Sequence, residues 1–283
     1  CRQYIKHKIK PFIITLHIIT FRIAKPFNNV FHNNCMPFTS VYYHLHFAHK
    51  QCKIYFKQYE RINIMFEGFD RSAIDFLWGI RLNNDKNWYE SHKDEYRQNL
   101  AKPMKSLCDE LFCDFYSEIG YETVSSVSRI VKDARFPHAY PYRDNYWFTF
   151  KETRKDWWVA PAFYFELSCE GWGYGMGMWS ASAGSMQRLR NAIDSDPKTF
   201  SGLARAFDKQ KIFTLEGDFY KRKKGEVSPL LDGWYNRKSI SCTASFTYEN
   251  ETVFTNKLQP LILEGFRSLY PICRFIHNAI NEE

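Results

Sequence analysis

The sequence predicts an α+β fold, with a central, mainly antiparallel sheet packed by helices from both ends of the chain. Three observations predict it. Apolar residues recur every three to four positions over residues 71–111 and again after residue 256, which is typical of amphipathic helices. In the middle of the chain, apolar and polar residues alternate, which is typical of strands. Regular alternation of strands with helices, the pattern of a parallel sheet, is absent.

The first helices are predicted by their caps and apolar stripes. Asp70 precedes a helix expected at residues 71–80. A longer helix follows, with Asp85 in its first turn, and keeps one apolar stripe from Trp88 to Leu111. Pro103 lies inside that stripe, so we expect a kink or a second helix start there.

Helices return in the second half of the chain. The spacing predicts them at residues 183–194 and 198–208, the second after an acidic cap and a proline. A C-terminal amphipathic helix is expected over residues 256–280, interrupted at Pro271.

Strands are predicted where the period changes to two. The expected strands cover residues 123–131, 145–151, 162–168, 211–215 and 239–246. Another segment, residues 171–178, alternates four glycines with large apolar residues.

The glycine face of residues 171–178 is bare and allows a close approach. A helix, another backbone or a flat ligand would each fit against it. Packing against a helix is the expectation here.

The first 64 residues differ in composition from the rest. They hold ten Lys or Arg, one acidic residue and six of the nine histidines, but no Gly, Asp or Trp. The remaining 219 residues carry 29 basic and 30 acidic residues, so the formal charge of +8 arises from the leading segment. We therefore expect residues 1–64 to be non-native upstream translation or a disordered leader, with Met65 as the initiator and Met36 as a second candidate.

Two other readings of this segment stay open. Residues 12–21 resemble the apolar region of a signal peptide or a short anchor. The basic residues could instead form a nucleic-acid-binding arm. Residues 65–283 are expected to form a single α+β domain, because no Gly/Ser/Pro linker divides them.

Composition and missing motifs exclude several function classes. With a nearly neutral charge after residue 64, we expect no nucleic-acid partner, and no apolar run is long enough to span a membrane. Dinucleotide-binding, phosphate-loop, metal-protease and nucleophile-elbow motifs are missing, so no cofactor is predicted.

No metal is predicted, since the three histidines after residue 64 lack ligand spacing. Five of the eight cysteines lie after residue 64, and their lack of C-x-x-C spacing indicates reduced thiols and a cytoplasmic location. Oligomeric state is not predicted.

A dense polar run at residues 129–143 stands out in a chain rich in aromatics. Arginines are suited to bidentate binding of carboxylate or phosphate, and a proline-containing loop can fold the end of the run back toward its start. We therefore predict a site for a small anionic ligand. The candidate ligand-binding residues are Arg129, Asp133, Arg135, Tyr142 and Arg143, joined by Glu166, Trp179, Arg188 and Arg190.

Three alternatives to this ligand site remain. The run could be an Arg-Asp ion-pair network that only joins loop to sheet. The chain could be an enzyme acting on a phosphate or carboxylate ester, with Asp133 or Glu166 as general base, although no catalytic residue is identified. Trp157 and Trp158, expected at a hairpin tip, could instead mark a structural or protein-binding module.

Several short motifs are spread over residues 66–280. They are Phe69 with Phe76-Leu77, Asn83-Asn84, Trp88-Tyr89-Glu90, His92-Lys93, Arg129-Ile130, Asp133-Ala134-Arg135-Phe136, Pro141-Tyr142-Arg143, Gly175-Met176-Gly177-Met178-Trp179, Arg188 with Arg190 before Ile193, and Lys238-Ser239. In this order they resemble one family, the bacterial and fungal domain of unknown function 2461. The resemblance implies an α+β domain that starts near Met65, and it implies no activity. The family usually has Arg-Asp-x-Arg and Pro-Tyr-Lys, where this chain has Lys132 and Arg143 at the changed positions.

Overall fold

A computed structural model describes residues 65–133, 135–136 and 138–281. The predictions for residues 1–64, namely non-native sequence, leader, anchor or basic arm, lie outside the described residues. The α+β prediction is confirmed by the part of the chain from residue 65 onward.

The fold is built on one antiparallel sheet of six strands. Along the sheet the strands follow the order β1-β2-β3-β4-β6-β5, and every neighbouring pair is antiparallel. The strands are β1 (Thr123–Val127), β2 (Asn145–Glu152), β3 (Pro161–Ser168), β4 (Gly171–Met178), β5 (Thr214–Glu216) and β6 (Ser241–Thr247).

Helices from both ends of the chain surround this sheet. The helices are α1 (Arg71–Leu82), α2 (Lys86–Ser91), α3 (Lys93–Glu95), a π-helical segment (Tyr96–Ala101), α4 (Lys102–Tyr116), α5 (Ala183–Ser195), α6 (Pro197–Lys209), α7 (Pro229–Tyr235) and α8 (Leu258–Asn281), with 3-10 turns at Trp157–Val159 and Glu251–Phe254. Caps at Asp70 and Asp196 accept backbone N–H groups as the sequence predicts. Asp85, expected within the first turn of its helix, is instead the cap that precedes α2.

The sheet buries one face against α4 and α8. Alternate residues of β2, β3 and β4 point to this face, and their aromatic rings contact one another across the strands. Phe266 of α8 lies at 4.9 Å from Phe163 and 5.8 Å from Phe150, measured between ring centroids. Gly265 brings α8 close to the sheet, since a Cβ there would lie 2.4 Å from the Tyr174 ring.

The opposite face of the sheet, called the open face below, is mostly half-exposed. It carries hydroxyl groups, glycines and a few charged or aromatic side chains. Its residues on the four central strands include Asn145, Trp147, Thr149, Lys151, Tyr164, Glu166, Ser168, Gly171, Gly173, Gly175, Gly177, Ser241, Thr243, Ser245 and Thr247.

The four glycines of β4 lie on the open face, so the expectation that a helix packs on them is wrong. The close neighbour is the backbone of β6. A Cβ on Gly175 would lie 2.0 Å from the carbonyl oxygen of Cys242, and one on Gly171 would lie 2.2 Å from that of Phe246. The helices pack instead on the large apolar residues, because burying those removes more apolar area from water.

Two prolines are accommodated within helices. The π-helical segment ends just before Pro103, and its wider turn relieves the clash between a proline ring and the carbonyl four residues earlier. Helix α8 runs through Pro271 without a break, so the predicted interruption there is wrong. Pro271 is exposed and buried residues flank it on both sides, including Leu269 and Ile272. We infer that this packing outweighs the cost of the missing hydrogen bond.

Other differences from the sequence expectations are small. Strand β1 ends at Val127, four residues earlier than predicted, and the bridge between Val131 and Tyr142 continues the pairing as an isolated contact. The short helix α7 was not predicted; it holds a glycine in its last turn and spans seven residues. Among the described helices, none is long and apolar enough to cross a membrane.

The close approach of the β4 glycines to β6 leads to a prediction about stability. We expect Gly175→Ala to lower the free energy of unfolding by about 1–3 kcal/mol, because the new methyl group overlaps a backbone oxygen that cannot easily move. Urea denaturation of the folded variants measures the change.

Gly202 of α6 is the matched control, since nothing lies within 4 Å of a Cβ there. Gly202→Ala should raise the free energy of unfolding by about 0.5–1 kcal/mol through helix propensity. Equal effects of the two substitutions would contradict the close approach of β4 and β6.

Candidate functional site

The loop between β1 and β2 folds back on itself, as the sequence predicts. The Lys132 N–H donates to the Pro141 carbonyl at 2.8 Å, and the Arg143 N–H donates to the Ile130 carbonyl at 2.8 Å. These bonds return Arg143 to the start of the polar run and to the beginning of β2.

Asn84 and Tyr89 hold Tyr142 in place. The Tyr142 N–H donates to Asn84 Oδ1 at 2.9 Å, and Asn84 Nδ2 donates to the Tyr142 carbonyl at 3.1 Å. The Tyr142 ring is buried and stacks on the Tyr89 ring at 4.5 Å. Tyr142 therefore anchors the residue beside it, Arg143, instead of facing a ligand.

Asp133 and Arg135 pair with each other within the loop. Arg135 Nε donates to Asp133 Oδ1 at 3.0 Å, and its Nη2 donates to Oδ2 at 2.5 Å. These bonds hold the pKa of Asp133 well below its usual range, which makes it a weak base. Arg129 is exposed beside this pair. For Asp133 and Arg135, the observed contact is therefore the ion pair within the loop that one of the alternatives expects.

Arg143 has a different environment. Its guanidinium lies over the Trp147 ring, 4.9 Å from the ring centroid. Trp147 in turn stacks against Trp179, with centroids 6.4 Å apart and planes inclined by 14°. Among the described residues, no carboxylate oxygen lies within 4.0 Å of Arg143, so its N–H groups remain available to an anion.

Glu166 lies on the same face, one strand away. It is directly opposite Trp147 on β2 and Gly173 on β4, and it accepts a hydrogen bond from Asn145 Nδ2 at 2.6 Å. The register of the sheet therefore places a cation, an indole and a carboxylate side by side on the open face.

A groove of about 410 Å³ runs over the glycines next to Glu166. Its charged lining residues are Glu166 and Glu170, and Glu170 is paired with Arg81 at 2.8 Å. The other lining residues are mainly hydroxyl-bearing or glycine: Tyr164, Ser168, Gly171, Trp172, Gly173, Thr243, Ser245, Phe246 and Thr247.

The Tyr164 hydroxyl closes one end of the groove. It donates to Thr243 Oγ1 on β6 at 2.9 Å, and Gly175 lies between the two in the register of the sheet. A side chain at Gly175 would obstruct this bond. Burial raises the pKa of Tyr164, so its hydroxyl stays protonated and can donate.

Two of the predicted residues belong to another part of the molecule. Arg188 and Arg190 lie on α5, the first exposed and the second buried. Arg190 contacts Gln187 and Tyr220, and Tyr220 follows β5 at the opposite edge of the sheet from β1. The structure thus gathers Arg143, Glu166 and Trp179 on the open face.

Sequence reasoning missed several residues of this face. Asn145, Trp147 and Lys151 share the open side of β2, and Lys151 Nζ lies 3.9 Å from the centroid of the Trp157 ring at the hairpin tip. Tyr164 and Thr243 were also missed. The alternation of β2 and β3 contains the signal, because residues two apart share a face.

The arrangement offers hydrogen-bond donors, acceptors and one unpaired guanidinium, but little for a metal ion. Among the residues that the structure describes, no group of three or more His, Cys, Asp or Glu side chains is placed to hold a metal. The groove can hold hydroxyl groups, and Arg143 can hold an anionic group beside it.

The Asn84 contact with Tyr142 gives a second stability prediction. Asn84→Ala removes two hydrogen bonds to a partly buried backbone and should lower the free energy of unfolding by about 1–3 kcal/mol. Asn87→Ala, at an exposed position of α2, should change it by less than about 0.5 kcal/mol. Thermal or urea unfolding measures both, and a neutral Asn84→Ala would contradict the anchoring role.

The comparison with known families agrees with this fold. Residues 72–275 match the profile of the family described as conserved hypothetical protein, DUF2461. No curated protein matches the chain. Because the match covers more than half of the chain, the protein belongs to the DUF2461 family.

Proposed function

We propose that this protein binds a small, polyhydroxylated anion, such as a sugar phosphate, on the open face of its sheet. The observation that carries the proposal is the Arg143 guanidinium, which has no carboxylate partner among the described residues. It lies over Trp147, the β2 residue opposite Glu166, and Glu166 lines a groove rich in hydroxyl groups.

Arg143 is suited to hold the anionic group. Stacking on Trp147 uses the flat face of the guanidinium and leaves its N–H edge for hydrogen bonds. Guanidinium binds phosphate or carboxylate through two parallel N–H donors, and such charge-assisted bonds are stronger than neutral ones. Trp179, which is 77% exposed, extends the flat surface next to it.

The groove is suited to a neutral, hydroxylated body. Glu166 and Glu170 would repel further negative charge there, so the ligand's charge belongs at the Arg143 end. The hydroxyl groups of Ser245 and Thr247 can donate or accept hydrogen bonds, while Ser168 and Thr243 are already engaged within the protein. The glycines keep the floor flat and bring the ligand near the backbone.

The alternative of an ester-cleaving enzyme has less support. Asp133 is paired with Arg135, and Glu166 already accepts a bond from Asn145. The protein-binding alternative rests on Trp158, which is 40% exposed, while Trp157 is covered by Lys151. We also infer a cytoplasmic location, because Cys108, Cys169, Cys242 and Cys273 are buried free thiols.

Calorimetric titration with glucose 6-phosphate, glucose and inorganic phosphate tests the proposed function. We expect glucose 6-phosphate to bind more tightly than either part alone. Arg143→Gln should weaken its binding at least about tenfold, because a charge-assisted hydrogen bond is lost.

Arg205→Gln, at an exposed position of α6, is the matched control and should bind like the unchanged protein. Equal affinities of the Arg143 and Arg205 variants would contradict the role of Arg143. If neither the sugar phosphate nor a sugar acid such as gluconate binds, the proposed ligand class is wrong.

A further inference from the structure

Arg190 is a buried charge that no carboxylate of the described residues neutralises. It is 2% exposed, and its Nη1 atom finds no hydrogen-bond partner within that part of the chain. Its Nε and Nη2 atoms both donate to the neutral Gln187 Oε1, at 3.3 and 3.1 Å. A guanidinium does not lose its proton in a protein, so an unpaired one in this position is unfavourable by several kcal/mol, on the order of the penalty for burying any ion.

The nearby carboxylates have other partners. Asp194, one turn further along α5, accepts a hydrogen bond from the Tyr235 hydroxyl at 2.8 Å. Asp232 accepts from Lys223 at 2.6 Å and from Asn236 at 3.1 Å. Within the described residues, no carboxylate oxygen comes within 4.0 Å of the Arg190 guanidinium.

A second cation contacts the same tyrosine ring as Arg190. The Tyr220 ring has the Arg190 guanidinium carbon at 5.7 Å and Lys224 Nζ at 4.5 Å, both measured to the ring centroid. Lys224 belongs to the basic run of residues 221–224, in which Lys223 is paired with Asp232. Positive charge is therefore concentrated around one half-buried tyrosine.

Arg237 provides a contrast. It also has a buried nitrogen without a partner, its Nε. Its two Nη atoms, however, donate to the carbonyls of Gly217 and Leu215. Arg237 therefore joins the end of β5 to the segment that precedes β6. Arg190 makes no such bond to a backbone carbonyl within the described residues, and a purely structural role explains it less well.

We propose that Arg190, Tyr220 and Lys224 form a second anion site, which binds a phosphate group. The Arg190 Nη atoms would take two phosphate oxygens, Lys224 would add a point charge, and the Tyr220 hydroxyl would donate to a third oxygen. The site is separate from the open face and does not depend on the function proposed for it.

The backbone around Tyr220 is held firmly, so only side chains need to move when the anion enters. The Tyr220 N–H donates to the Asn236 carbonyl at 3.1 Å, and the Lys224 N–H donates to Asn236 Oδ1 at 2.6 Å. We expect the Tyr220 ring to rotate so that a phosphate reaches both cations.

Thermal unfolding and calorimetry with inorganic phosphate test this site, with chloride at equal ionic strength as the reference. The experiment uses the Arg143→Gln protein, so that phosphate bound at the open face does not contribute. Phosphate well above its dissociation constant should raise the Tm by several degrees, on the order of 5 °C. Glycerol 3-phosphate, tested separately, shows whether a phosphate monoester binds as the free ion does.

Substitutions then identify the residues. Arg190→Met should abolish the phosphate-dependent shift, and without phosphate it should be at least as stable as its parent, because an apolar residue replaces an unpaired buried charge. Lys224→Gln, at an exposed position, should weaken phosphate binding about tenfold. If Arg190→Met does not fold, this second variant tests whether phosphate binds at the site. Arg205→Met is the control and should retain the full shift.

Three results would overturn the proposal. The first is a Tm in phosphate no higher than in chloride, and the second is an unchanged phosphate-dependent Tm shift in both the Arg190 and Lys224 variants. The third is a loss of stability in Arg190→Met when its parent binds no phosphate. The last result identifies Arg190 as a structural residue. None of these results tests the role of Arg143, so the function proposed for the open face is tested separately.

Discussion

Close packing of β4 against β6 is the constraint on which the rest of the molecule depends. On one side, β4 presents Trp172, Tyr174 and Met176 to the core. On the other side it presents only glycines, because β6 lies too near for any Cβ. The alternation of large apolar residues with glycines therefore places bulky side chains in the core and none on the open face of β4. A groove exists over the sheet because these positions have no side chains.

The surrounding elements turn that flat floor into a site. The loop after β1 closes through backbone bonds and returns Arg143 to β2, while Asn84 and Tyr89 hold Tyr142 beside it. Sheet register then aligns Trp147 with Glu166. Each contact joins residues that are far apart in the sequence. The unpaired guanidinium next to hydroxyl groups is a product of the whole fold and not of one motif.

Much of the fold could be predicted from the sequence, because the alternation of β2 and β3 and the caps at Asp70 and Asp196 are local signals. The site could be predicted only in part. Residues 129–143 look like one cluster when read along the chain. In the fold, Asp133 pairs with Arg135 in the loop and Arg143 stacks on Trp147. Both contacts are local, but the placement of Trp147 opposite Glu166 depends on strand order and register, which arise from non-local packing. The same reason separates Arg190 from the open face, since its neighbour Tyr220 lies beyond β5.

The amide signals of Gly171 and Gly173, the two β4 glycines that line the groove, test the central claim most directly. In a ¹⁵N-resolved NMR titration with glucose 6-phosphate, the account predicts that both shift together with the Trp147 and Trp179 indole N–H groups. Gly202 and Gly265, which lie on helices, should stay unchanged. Shifts confined to helix signals, or binding that leaves Gly171 and Gly173 unaffected, would contradict the assignment of the open face as the ligand site.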